Sequence, residues 1–145
     1  MKENLVISAC LLGIPCRYDG RSVKKIDASA LAEKYNLIPI CPEIYGGLST
    51  PRVPSERIED RVMMRDGRDV TENYNRGAAA SLEIAKANGA KLALLKERSP
   101  SCGKETIYDG TFSGTLTSRH GVTAECFLKE GIAVFGESEI SELLK

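Results

Sequence analysis

A chain of 145 residues has room for one domain, and its twenty Lys and Arg balance twenty Asp and Glu to leave no formal net charge. That balance argues against a nucleic-acid binder working by bulk charge and against a polybasic membrane-surface protein. Five cysteines, one histidine and no tryptophan are the unusual counts, and an odd number of thiols excludes a fully paired disulfide framework within one chain.

The opening Met1-Lys-Glu-Asn lacks the basic-then-apolar pattern of an export signal, and no apolar run approaches the ~20 residues that span a bilayer. The expectation is a cytoplasmic protein, in whose reducing surroundings cysteines bind metals or react more often than they pair. Residues 4–8 are apolar and β-branched and read as a buried strand. Asp27 is a plausible N-cap, with Ala28, Leu31, Ala32 and Tyr35 following at helical spacing. Residues 37–40 form a second candidate strand, and Pro39 within it favours a sheet edge. Thr71 can cap a longer helix with Tyr74, Ala78, Leu82 and Ala85 on one face, ended by Asn88-Gly89. Residues 91–95 and 132–135 read as the third and fourth strands. Between them residues 122–130 are helical, and residues 138–145 close the chain as a helix.

Strands alternating with helices predict an α/β fold: a single Rossmann-like domain over residues 1–145, with a mostly parallel sheet flanked by helices. Two stretches, 41–70 and 97–121, are long and rich in Gly, Pro, Ser and Arg. The first contains a hairpin signal in Asp66-Gly67. Both begin just after predicted strands, which in a parallel sheet is the carboxyl edge where ligands bind.

Cys10 follows the first strand, Cys41 the second and Cys102 the third, so a parallel sheet would project all three thiols from one edge. There is no C-x-x-C pair, and three thiolates are one short of a closed zinc site. His120 keeps zinc open as a fourth ligand, while three cysteines also suit a [4Fe–4S] cluster with one iron left open. Cys126 lies inside a predicted helix and reads as a packing residue; Cys16 is either a spare loop thiol or a redox partner of Cys10.

Three motifs carry a resemblance that covers nearly the whole chain: Ser8-Ala-Cys-Leu-Leu-Gly13 with Arg17-Tyr-Asp-Gly20, Cys41-Pro-Glu43 with Gly46-Gly-Leu48 and Pro51-Arg52, and Ser99-Pro-Ser-Cys-Gly103. In this order they resemble the TudS-like, or YbbK-like, family of small bacterial proteins. The resemblance implies a thiouracil desulfidase that holds a [4Fe–4S] cluster on Cys10, Cys41 and Cys102. It also implies Glu43 and Ser101 as catalytic residues. The reaction expected from it is non-redox: an open iron takes the substrate sulfur, Glu43 acts as base toward water, and Ser101 binds substrate or relays a proton.

Arg17 and Asp19 are candidates for the substrate pocket, although Asp19-Gly20 is equally a turn signal. Arg52 can meet a phosphate if the thiolated pyrimidine is a nucleotide rather than a free base; in a Pro-Arg loop a surface arginine is the more common outcome. No long nucleic acid and no membrane is expected as partner. The alternatives from other classes are a non-catalytic metal or iron–sulfur binding module and a thiol-redox protein using Cys10 and Cys16.

Overall fold

The computed structural model describes residues 2–20 and 26–145. In chain order its elements are β1 (Glu3–Ser8), α1 (Ser29–Lys34), β2 (Tyr35–Ile40), α2 (Pro42–Tyr45), β3 (Ser55–Ile58), β4 (Arg61–Met64) and α3 (Thr71–Ala87). They continue as β5 (Leu92–Leu95), β6 (Thr106–Tyr108), β7 (Leu116–Ser118), α4 (Val122–Lys129), β8 (Ala133–Gly136) and α5 (Ile140–Leu143). Strands β2, β1, β5 and β8 form one sheet in that order, every pairing parallel. The α/β expectation holds, with all four expected strands in this sheet. Pro39 is accommodated because β2 is an edge strand, where a missing donor breaks no inner ladder.

The strand period of two explains the layering. Leu5, Ile7 and Leu94 point to one side and pack with Leu31, Tyr35 and Leu143 under α1 and α5. Val6, Ala93 and Leu95 point to the other and pack with Leu82, Ala85, Ala124 and Phe127 of α3 and α4. A sheet buried on both faces requires continuous apolar strands, which is what these segments are. Among the described residues no helix is long and apolar enough to cross a membrane.

Several local expectations are corrected. Tyr35 opens β2 instead of ending α1, and α1 begins at Ser29, whose backbone and hydroxyl both donate to Asp27. Thr71 is the first residue of α3, and Asp69 takes the capping part by accepting from its N–H. The Asp66-Gly67 hairpin does form, with Met64 N–H donating to Arg68 O at 2.8 Å and Val70 N–H to Val62 O at 2.9 Å around the Met63–Asp69 bridge, and β4 pairs in addition with β3 on the N-terminal side. The closing helix is a 3-10 turn (Glu137–Glu139) followed by the single turn of α5.

Two glycines bring α2 against α3 backbone to backbone. A Cβ on Gly77 would overlap the Pro42 carbonyl oxygen, and one on Gly46 would overlap that of Asn73. Asn73 Nδ2 also donates to Gly46 O at 2.8 Å. This close approach sets Pro42 and its neighbour Glu43 directly over α3.

Candidate active site

The chain leaves β1 for β2 on one side and later returns to place β5 on the other. The carboxyl ends of β1 and β5 therefore flank the point where strand order reverses, the usual ligand crevice of open parallel sheets. A cavity of about 490 Å³ lies there, within the range of small-molecule sites. Cys10, Cys16, Cys41 and Cys102 all line it, together with Glu43 and Lys96.

Each thiol is brought in by its own strand end. Cys10 sits in a 3-10 turn (Ala9–Leu12) that Gly13 closes at φ 89°, a left-handed conformation glycine adopts without strain. Cys41 is the extended residue between β2 and α2. Cys102 lies in a turn after β5 whose backbone is held by Ser99: Ser99 Oγ accepts from the N–H of Ser101 at 3.1 Å and of Cys102 at 3.0 Å. All five cysteines are free.

Burial pushes the Cys10 thiol up to about 11, against the pull of Lys96, and Cys102 up to about 12, against a hydrogen bond with Ser8. The negative charges of Cys10 and Cys41 add to the rise at Cys102, so the three thiols feel one another across the cavity. Cys16 hydrogen-bonds Cys41, which lowers Cys41 and raises Cys16. The sequence left Cys16 as a spare loop thiol or a redox partner of Cys10; its hydrogen bond here is to Cys41. Cys126 lies on α4, half-buried against the sheet core and outside the cavity.

Glu43 is tied down from two sides. Arg52 Nε donates to its Oε1 at 3.2 Å, and Tyr74 Oη donates to the same oxygen at 2.8 Å. For Arg52 the surface-residue alternative is corrected. Its side chain is only 4% exposed, and all three guanidinium nitrogens have protein partners. Nε bonds Glu43, Nη1 bonds Ser49 O and Thr50 Oγ1, and Nη2 bonds Cys16 O. It is therefore not a surface arginine, and it lines the same cavity as the thiols.

Arg17 and Tyr18 line the cavity, with the guanidinium over the Tyr18 ring at 5.6 Å. Asp19 is outside the lining and lies 3.9 Å from Arg17 Nη1. Ser101 is also outside it: fully buried, with its hydroxyl 2.8 Å from that of Thr123. The serine of that motif that does reach the cavity is Ser99. His120 lies in a separate surface depression with Glu105, Arg119 and Glu125, where its Nδ1 accepts from Glu105 N–H, so it is not a fourth ligand to the thiols.

Sequence reasoning missed Ser8, Lys96, Ser99 and Tyr74 as cavity residues. The first three stand at or just past the carboxyl ends of β1 and β5, so the strand-end rule that singled out the cysteines reaches them as well. Tyr74 carried no such signal, because it reads as one more apolar residue on the inner face of α3. The rim is completed by Arg65 and Phe112, the guanidinium 5.7 Å from the ring, on a loop pinned by Glu56 Oε1 to the N–H groups of Gly110 and Phe112.

Soft sulfur donors with no oxygen or nitrogen majority are the set that iron–sulfur clusters use. Among the described residues no three His, Cys, Asp or Glu side chains converge as ligands of one metal ion. Cluster cysteines each bind a different iron, so Cys10, Cys41 and Cys102 around one cavity fit a cluster.

Comparison with known proteins points the same way. A family model described as 2-thiouracil desulfurase matches residues 5–139. The protein YbbK of Bacillus subtilis (strain 168), described as uncharacterized, is 41% identical over 150 aligned positions, covering 97% of this chain and 99% of that protein. The solved structure of a [4Fe-4S]-dependent thiouracil desulfidase, TudS (DUF523Vcz), is 43% identical. It superposes with a TM-score of 0.91, over 98% of this chain and 95% of that one.

Proposed function

As the chain belongs to the 2-thiouracil desulfurase family, we propose that it removes sulfur from a thiolated pyrimidine, as the free base or as its nucleotide. The net reaction exchanges C=S for C=O with one water and releases hydrogen sulfide, so no oxidant or reductant is consumed. The observation that carries this reading is that Cys10, Cys41, Cys102 and Glu43, from three separate strand ends, line one cavity.

Cys10, Cys41 and Cys102 would hold the [4Fe–4S] cluster. Burial keeps Cys10 and Cys102 protonated as bare thiols, and the positive irons would supply the charge that ionises them. A cluster with three protein thiolates has one iron without a protein ligand, a soft Lewis acid for the thiocarbonyl sulfur. The chain's own residues do the rest. Glu43, two residues past Cys41, takes a proton from the attacking water. Arg17, with Arg65 and Arg98 in the same lining, supplies donors for a pyrimidine carbonyl or a nucleotide phosphate. Asp19 acts on substrate through Arg17, which it faces. A proton relay through Ser101 would require its hydroxyl to turn away from Thr123.

Anaerobic reconstitution should give a brown protein that releases sulfide from 2- or 4-thiouracil or from the corresponding nucleotide. A folded, fully loaded protein that releases none from any of these excludes the activity. Replacing Cys10, Cys41 or Cys102 by serine should each lower bound iron and acid-labile sulfide. Retention of both in Cys41→Ser, with their loss in Cys16→Ser, would overturn the ligand assignment.

A further inference from the structure

The grip on Glu43 is lopsided. Arg52 Nε and Tyr74 Oη both donate to Oε1, and among the described residues no group donates to Oε2. Both donors are themselves immobilised. Arg52 is anchored by Ser49 O, Thr50 Oγ1 and Cys16 O. Tyr74 is 1% exposed and packed with Val62, Met64 and Val70. The glycine contact between α2 and α3 fixes the separation of Glu43 from Tyr74. A phenylalanine would fill the same apolar space, so packing alone does not account for the hydroxyl. Burial and the charge of Glu43 push the tyrosine well above its ordinary value, which keeps it a proton donor to the carboxylate.

We propose that Arg52 and Tyr74 are positioning residues that lock Glu43 through Oε1, so that Oε2 alone faces the substrate and takes the proton from water. This rests on the reading of Glu43 as the base. In it a proton moves from water to Oε2 while the hydroxide oxygen bonds to the thiocarbonyl carbon and the C=S π pair moves onto sulfur. The C–S bond then breaks with its pair on sulfur, the new hydroxyl gives up its proton to become C=O, and that proton and the one held on Oε2 leave with the sulfide as hydrogen sulfide. A base held by one oxygen has a single working geometry, and misplacement by about an ångström can cost on the order of 10²-fold in rate.

The test uses the cluster-loaded protein, with turnover expressed per loaded cluster. Tyr74→Phe should lower kcat roughly 10-fold with KM nearly unchanged, iron and labile sulfide content intact and the fold preserved. Arg52→Lys keeps the charge but cannot reach four acceptors, and should lower kcat further, by about 10²-fold. In crystals of the Tyr74→Phe protein, the Glu43 carboxylate should lose its single orientation. A parent-like kcat per cluster in Tyr74→Phe, or a Glu43 superimposable on that of the parent, overturns the proposal. Parent-like turnover in Glu43→Gln instead overturns the reading on which it rests, whatever Tyr74→Phe does.

Discussion

Arg52 and Arg57 are buried to the same degree, each side chain 4% exposed and each paired with a glutamate, but they serve different ends. Arg57, on β3, donates to Glu125 of α4 at 2.9 Å and to the carbonyls of Glu59 and His120, stitching the hairpin to the helix that covers the sheet. Its glutamate faces the surface depression around His120. Arg52 is joined by a tyrosine on its glutamate, and that glutamate faces the thiol cavity. Two pairs alike in charge and burial are thus separated by what the carboxylate looks at. A buried arginine–carboxylate pair is no sign of function until its surroundings are known.

The comparison is most sharply broken at the two glutamates. Glu43→Gln should cut sulfide release by about 10²-fold or more in a folded, cluster-loaded protein, the usual scale for loss of a general base. Arg57→Met should leave turnover per folded molecule unchanged and lower stability by about 3 kcal/mol, because Glu125 and two carbonyls lose their donor. Urea denaturation reads the stability; equal activity loss in the two variants would erase the distinction.

Acid should weaken the Arg57 pair in a predictable direction. Burial pulls the Glu125 carboxyl upward, but the hydrogen bond and charge of Arg57 outweigh it and hold the carboxyl below its ordinary value. Its contribution is therefore complete above the unfolded value of about 4.3 and is lost as pH falls through the lower folded value. The stability gap between the parent and Arg57→Met should narrow from pH 7 to pH 3. A gap that widens over that range contradicts the assignment.

Ser101→Ala gives the smallest expected effect, about 1 kcal/mol of stability from the hydroxyl shared with Thr123. A turnover loss beyond what unfolding explains would show that the hydroxyl does visit the substrate.

Legibility in the sequence followed periodicity. The four sheet strands and the long helix α3 announce themselves because burial on both faces demands unbroken apolar runs, and a helix packed on one side demands a stripe. Of the two small hairpins, β4 was flagged by the Asp66-Gly67 signal it leads into, but β3, β6 and β7 were invisible as strands. They are three or four residues long, and β7 is exposed at every position, so no alternation marks it. The cysteines were legible for a different reason. Topology places strand ends together, so Cys10, Cys41 and Cys102 needed only the strand assignment to be brought to one edge.

By itself, then, the sequence determined the α/β class, the parallel sheet and the edge at which three thiols gather, since these depend on residue type and order alone. Only the tertiary structure decided which partner each side chain takes. It buried Arg52 against Glu43, set the hydroxyl of Tyr74 on the same carboxylate oxygen, turned Ser101 toward Thr123 and put Cys16 against Cys41. The physical reason is that a hydrogen bond is specified to a few tenths of an ångström. Here that precision comes from packing between segments far apart in sequence: α2 on α3 through two glycines, and the loop of Arg52 folded over Cys16.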